Sequence, residues 1–190
     1  MGVFMVQIAK PIIGQEEIDV VTQVLKSGML AQGPKVREFE EAFAKYCGVK
    51  YAIALSSGTA ALHTALAIAG IKEDDEVITT PFTFIATANS ILMQRAKPVF
   101  VDIDEQTYNL NPNLIEKKIT KKTKAILAVD LYGQPANYTT LAAIAKKYNL
   151  LLIEDACQAV GAEYEGKKTG ALGDIGCFSF YATKNITAGE

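Results

Sequence analysis

Short apolar segments alternate with helical segments along most of the chain, and this alternation constrains the fold more than any other sequence feature. The apolar segments are residues 51–55, 76–80, 98–102, 124–130 and 150–153. Helical patterns lie between them, at residues 59–69, 86–93, 112–118 and 140–148. Strands that are apolar along their whole length belong to parallel sheets that are covered on both faces. The sequence therefore predicts an α/β fold with three layers, α/β/α, around a mainly parallel sheet.

Both ends of the chain extend this pattern. Residues 1–50 form a helical segment, in which Gly28 and Gly48 each end one amphipathic helix. A turn is predicted at Gly166, and a last strand, residues 176–181, leads to Lys184. No helical pattern follows that strand before Glu190. We therefore expect residues 1–190 to be one domain that is incomplete at its C-terminus.

The composition argues against several classes of partner. The formal net charge of −2 gives no basis for binding nucleic acid or an anionic membrane. No apolar run approaches the roughly 20 residues that a transmembrane helix needs, and no signal peptide is recognisable at the start. The single histidine and three widely spaced cysteines do not form a metal-binding or disulfide pattern. We expect a cytoplasmic protein without a metal.

Two candidate sites follow the first strands of the predicted sheet. Ligands of open α/β sheets bind outside the carboxyl ends of the strands. Ser57, Gly58 and Thr59 begin a helix there, and a helix start with a glycine can bind an anion. Taken alone, the motif is more typical of an ordinary helix cap, since serine and threonine are favoured caps. Phe84, with Phe82, could stack on a planar ligand, or could simply pack in the core.

Two further candidates follow later strands. Glu154 and Asp155 end an apolar strand, where a buried carboxylate is costly unless it is paired. They could form a site or lie at an exposed strand end, and Gln158 follows them closely. Lys184 lies just past the last strand, near a low-dielectric environment of the kind that imine-forming lysines use. A single lysine in such a position is more often solvated.

Taken together, these segments resemble the DegT/StrS family of sugar aminotransferases, which are fold-type I enzymes dependent on pyridoxal 5′-phosphate (PLP). The resemblance extends along nearly the whole chain, and it depends on the order and spacing of motifs that are weak individually. The motifs are Ser27-Gly28 with Gly33-Pro34, Ser57-Gly58-Thr59-Ala60-Ala61-Leu62, Thr80-Pro81-Phe82-Thr83-Phe84, Glu154-Asp155-Ala156-Cys157-Gln158-Ala159, Gly170-Ala171-Leu172-Gly173-Asp174 and Phe178-Ser179-Phe180-Tyr181-Ala182-Thr183-Lys184-Asn185.

The resemblance implies a role for each candidate residue. Lys184 would bind PLP covalently and move protons during the reaction, and Asp155 would keep the pyridine nitrogen of PLP protonated. Gln158 would hydrogen-bond the phenolic oxygen of the ring, and Phe84 would stack on the ring. The phosphate would be held by Gly58, Thr59 and Ser179, with Ser57 nearby.

The resemblance also implies the reaction and the partners. An amino group would pass from glutamate to a nucleotide-linked keto-sugar, in a homodimer with its active site at the subunit interface. Some family members have a histidine in place of the lysine and catalyse dehydration, so Lys184 favours amino transfer. Another fold-type I reaction, such as elimination, remains an alternative. The family continues past this point into a small C-terminal domain, so the 190-residue chain itself is expected to be inactive, as a fragment that only binds ligand or dimerises.

Overall fold

The computed structural model describes residues 9–188 and contains a five-stranded sheet with the strand order β2-β1-β3-β4-β7. All four strand pairings in this sheet are parallel. The strands are β1 (Glu76–Thr79), β2 (Lys97–Phe100), β3 (Thr123–Val129), β4 (Leu151–Asp155) and β7 (Ile175–Cys177). The parallel α/β fold predicted from the alternating pattern is therefore confirmed.

Five α-helices accompany the sheet among residues 9–188. They are α1 (Gln15–Ser27), α2 (Pro34–Cys47), α3 (Gly58–Ile68), α4 (Ala86–Met93) and α5 (Tyr138–Tyr148). The first two lie in the predicted N-terminal helical segment, of which residues 1–8 are outside the described part. Gly28 and Gly48 end these helices in the left-handed conformation, at φ 72° and 75°, which glycine adopts without the strain of a Cβ atom.

Alternating strand residues divide the core between two layers. Val77, Leu127 and Ile153 pack with α3 and α4 on one face of the sheet. Their neighbours Ile78 and Leu152 pack with α5 on the other face. Since successive side chains of a strand point to opposite faces, each central strand contributes to both halves of the core. The predicted three-layer arrangement is confirmed.

Two predicted strands differ from the observed ones. Residues 51–55 have no regular secondary structure, and no described strand pairs with them, so the strand predicted there is wrong. The last strand ends at Cys177 rather than at residue 181, because its neighbour β4 ends at Asp155, the partner of Cys177. Beyond that pair the chain has no neighbouring strand to continue the ladder.

The remaining differences are small. The helix predicted at residues 112–118 is two 3-10 turns, Pro112–Leu114 and Glu116–Lys118. The turn predicted at Gly166 is confirmed. It joins the antiparallel strands β5 (Glu163–Tyr164) and β6 (Lys167–Lys168).

Candidate active site

The last two residues of β4 direct their carboxyl groups to opposite faces of the sheet. Asp155 faces α4, where the Thr87 hydroxyl donates a hydrogen bond of 2.7 Å to its Oδ2 atom. Glu154 faces the other layer, where it accepts hydrogen bonds from the backbone N–H groups of Gly170 and Leu172. Both acids are buried. The alternative of an exposed strand end is therefore wrong for this segment.

Asp155 is an ionisable group in a desolvated position. Burial raises the pKa of its carboxyl, while hydrogen bonds from Thr87 and Cys157 and the positive charge of Lys184 act in the opposite direction. The backbone N–H of Cys157 donates to Oδ1 over 3.3 Å. Such a site suits a carboxylate that is completed by a cationic ligand, because an unpaired buried charge is costly.

A second buried acid lies on the α5 side of the sheet. Asp130 follows β3, and its Oδ1 atom accepts hydrogen bonds from Ala136 N at 2.9 Å and from the Tyr138 hydroxyl at 3.1 Å. Its Oδ2 atom has no donor among the described residues. Burial and the Glu154 carboxyl next to it raise the pKa of Asp130 to about 8. Two ionised carboxyl groups side by side out of water would repel each other, which favours the protonated form of Asp130.

The start of α3 contacts the segment after β7. A Cβ atom on Gly58 would lie 2.9 Å from the Ser179 Cβ atom and 3.0 Å from the Cys157 sulfur. Only glycine fits between them. The Ser57 hydroxyl accepts a hydrogen bond from Ala60 N at 3.1 Å, so Ser57 is the cap of this helix. The first N–H groups of a helix have no carbonyl partners within it, which leaves Gly58 and Thr59 able to donate to an anion.

An aromatic cluster fixes the segment that carries Ser179. The Phe43 ring of α2 meets the rings of Phe178 and Phe180 edge-on, with centroid distances of 4.9 and 5.3 Å. The Phe39 ring also contacts Phe180, at 5.2 Å. Ser179 lies between these two anchored residues in the chain, and its Cβ atom lies beside Gly58.

The other predicted site residues lie at the same edge of the sheet, with different contacts. Lys184 is half-buried, and its charge acts on both Asp155 and Cys157. Gln158 accepts a hydrogen bond from Tyr132 N at 3.2 Å through its Oε1 atom. Phe84 is 65% exposed, so the alternative that it packs in the core is wrong. Its ring forms no pair with another described aromatic ring and is open to a planar ligand.

The sequence reasoning missed Thr87 and Tyr132. Thr87 is the buried hydroxyl donor to Asp155, and the backbone of Tyr132 holds Gln158. Thr83 and Thr87, four residues apart after β1, were an available signal, since such pairs face each other on a helix. Nothing in the local sequence around Tyr132 indicates its contact.

Among residues 9–188, no group of three or more His, Cys, Asp or Glu side chains is placed to hold a metal ion. In the same residues, no helix is both long and apolar enough to cross a membrane.

The three-layer parallel sheet, with an acid, a lysine and a glycine-started helix at one edge, defines the large domain of aspartate aminotransferase-like enzymes. The chain belongs to the DegT/DnrJ/EryC1/StrS aminotransferase family, whose model matches residues 11–190. The expectation drawn from the sequence motifs is confirmed at the level of the family.

Named relatives agree with this assignment. GDP-perosamine synthase of Caulobacter vibrioides is 47% identical over 186 residues, which are 97% of this chain and 50% of that protein. UDP-2-acetamido-2-deoxy-3-oxo-D-glucuronate aminotransferase of Pseudomonas aeruginosa is 45% identical over 173 residues, 90% of this chain and 48% of that protein. The structure of Spr1654 from Streptococcus pneumoniae in its PLP form is 32% identical, with a TM-score of 0.91, and the match covers 96% of this chain and 50% of that one. The chain thus spans about half the length of these relatives.

Proposed function

We propose that this chain forms the PLP-binding large domain of an aminotransferase that transfers an amino group from glutamate to a nucleotide-linked keto-sugar. The observation that carries the proposal is the Asp155 carboxylate, which is buried at the end of β4 within electrostatic reach of Lys184. Family membership and the names of the two sugar-modifying relatives support the reaction and the substrate class.

The residues present fit PLP in three respects. The space at Gly58, too small for a Cβ atom beside Ser179, brings backbone N–H groups and a hydroxyl together for a phosphate. Asp155 supplies a buried acceptor for a protonated pyridine nitrogen. Lys184, half-buried near Asp155, supplies an amine for covalent attachment. Phe84 and Gln158 would contact the face and the phenolic oxygen of the ring.

PLP, when bound, supplies an electron sink for the carbon that gains or loses the amino group. Asp155 would hold a proton on the pyridine nitrogen, since a carboxylate deprived of water is a strong acceptor for a charged donor. Thr59, Gly58 and Ser179 would orient the phosphate, with the Ser57 cap fixing the start of α3. The Nζ atom of Lys184 would be the group of this chain that accepts a proton from the reacting carbon and donates one back.

The proposal also includes the partners, the oligomeric state and the localisation of the enzyme. The partners would be glutamate, a nucleotide-sugar and a second subunit, in a cytoplasmic homodimer with its active site at the interface. Binding energy from the remote nucleotide would position the keto carbon against the amine. Catalysis by the 190-residue chain alone is not expected, because the relatives that carry the named activities are about twice as long.

Reductive trapping tests the proposed cofactor attachment. The purified chain is mixed with PLP, reduced with borohydride and digested, and the modified lysine is identified by mass spectrometry. We expect the adduct on Lys184, because it is the lysine whose positive charge acts to lower the pKa of the Asp155 carboxyl. Lys168, whose ammonium lies over the Tyr46 ring and pairs with Glu163, serves as an internal control for random labelling.

The results of the trapping experiment and of a second assay test the cofactor site and the substrate class separately. An adduct spread over many lysines, or absent from Lys184, would refute the assignment of the site. If Lys184 is labelled, the full-length protein is loaded with amino groups from glutamate and tested with keto acceptors. We expect nucleotide-linked keto-sugars to react and pyruvate to react far more slowly. Equal rates for both would leave only a general aminotransferase.

A further inference from the structure

A row of hydroxyl groups leads from the loop after β1 to Asp155. The Thr87 Oγ1 atom lies 2.7 Å from Asp155 Oδ2 and 2.8 Å from Thr83 Oγ1. Thr87 is buried and Thr83 is half-buried. Thr83 immediately precedes Phe84, the exposed aromatic residue of the candidate site.

The protonation state of Asp155 determines the direction of this row. A hydroxyl group has one proton to donate, and an ionised carboxylate only accepts. If Asp155 is ionised, Thr87 must donate to it, and Thr83 must then donate to Thr87. If Asp155 is protonated at Oδ2, both hydrogen bonds can reverse. The row therefore stabilises the ionised form only when Thr83 and Thr87 both point towards the acid.

Other groups around Asp155 do not replace this contact. The titratable neighbours are Lys184, Cys157, Cys177 and Tyr138. Burial raises the pKa of all three of the neutral ones, so they stay uncharged and give Asp155 no counter-charge. Lys184 is the single cation among them, and its amine would be engaged by PLP in the loaded enzyme. Among the described residues, the remaining donors to the carboxylate are then the hydroxyl row and Cys157, through its backbone N–H and its thiol.

We infer that Thr87, supported by Thr83, is a positioning residue that holds Asp155 ionised and oriented for the cofactor. The role of Thr87 towards the cofactor rests on the proposed function, whereas its effect on Asp155 can be tested without it. The hydrogen bonds to Asp155 are made by the chain's own residues, so they can be measured in the ligand-free chain. Thr87 would act only through Asp155 and would not touch the substrate.

The test is a titration of Asp155 by carbon-13 NMR of the aspartate carboxyl groups in the ligand-free 190-residue chain. The Asp155 signal is assigned by its loss in Asp155→Asn. Thr87→Val keeps the size of the side chain but removes the donor. We expect the Asp155 midpoint to rise by about one pH unit, a roughly tenfold stronger hold on the proton, as for the loss of one hydrogen bond to a charged group. Thr87→Ser should restore the wild-type midpoint.

A matched control separates this role from a general effect on α4. Ser90 is a fully buried hydroxyl on the same helix, bonded to the Thr87 carbonyl at 2.9 Å. Ser90→Ala should lower thermal stability without moving the Asp155 midpoint. An unchanged midpoint in Thr87→Val, or an equal rise in Ser90→Ala, overturns the inference.

A second variant and the trapping experiment complete the design. Thr83→Val removes only the outer hydroxyl and should raise the midpoint in the same direction by less. If Thr87→Val does not fold, Thr83→Val decides, and an unchanged midpoint there overturns the inference. Failure of the proposed function would instead appear as a missing Lys184 adduct in a chain whose Asp155 still responds to Thr87.

Discussion

At the scale of single residues, the Asp130–Glu154 pair links folding to pH. Burial raises the pKa of Asp130 to about 8, so the folded chain keeps a proton that an unfolded aspartate, with a pKa of 3.8, gives up. A raised folded pKa stabilises the fold below the unfolded value, and this contribution is lost as the pH rises through the folded one. The relevant window therefore extends from about pH 4 to about pH 8.

Asp130→Asn should remove this pH dependence. The amide oxygen can still accept from Ala136 N and Tyr138, and an amide beside Glu154 does not ionise. We expect the free energy of unfolding of the wild type, relative to this variant, to fall by up to about 1.4 kcal/mol per pH unit between pH 5 and pH 8. Urea unfolding at several pH values measures it.

A surface variant controls for the loss of one negative charge. Glu105→Gln changes an exposed residue in the turn that follows Asp104. Its unfolding free energy should run parallel to that of the wild type across the same pH range. If Asp130→Asn also runs parallel to the wild type, the buried pair does not hold a proton in the folded state.

The sequence could indicate Asp155 and Glu154, but not what their side chains contact. Two acids at the end of an apolar strand are unusual, and this made them candidates. Thr87 lies 68 residues away from Asp155, inside a helix whose other residues indicate only packing. A buried hydroxyl becomes recognisable as a donor only when the fold supplies its acceptor. The same holds for Tyr132, which contacts Gln158 through its backbone.

At the scale of elements, α3 begins with a cap that is independent of any ligand. The Ser57 hydroxyl is bonded to Ala60 N, so Ser57→Ala should destabilise the ligand-free chain by about 1 kcal/mol. For a chain of this length that corresponds to a melting temperature lower by about 2–4 °C. Differential scanning calorimetry without PLP measures it. Ser56→Ala, at an exposed neighbouring serine, should have no comparable effect, and equal shifts in both variants would argue against the cap.

The elements differ in how far local sequence determines them. Helices α1 to α5 follow from apolar spacing together with caps such as Gly28 and Gly48, which are local signals. Strands need a partner, and residues 51–55 have the apolar character of a strand but no described strand beside them. The length of β7 likewise follows from where β4 ends. Pairing is a property of the whole sheet, so a single segment could not reveal it.

At the scale of the whole molecule, apolar side chains remain on the surface of residues 9–188. Helix α1 has no buried residue, and Ile18, Val21 and Leu25 on one of its faces are each about half exposed or more. Residues 51–55 add Tyr51 and Ile53, which are 71% and 72% exposed. Monomeric proteins rarely leave such surfaces open, because covering apolar area is favourable. These surfaces support the proposed homodimer.

We therefore predict that the chain self-associates in a concentration-dependent way, as measured by sedimentation velocity, and that α1 contributes. Val21→Lys places a charge among Ile18 and Leu25 and should shift the equilibrium towards the monomer, by tenfold or more in the dissociation constant if about 1.4 kcal/mol of apolar contact is lost. Gln23→Lys adds the same charge on the opposite side of the helix, at an exposed polar position, and should leave association unchanged. A wild-type chain that remains monomeric at all concentrations would contradict the prediction. Equal weakening by both lysines would show that net charge, rather than the apolar face of α1, controls association.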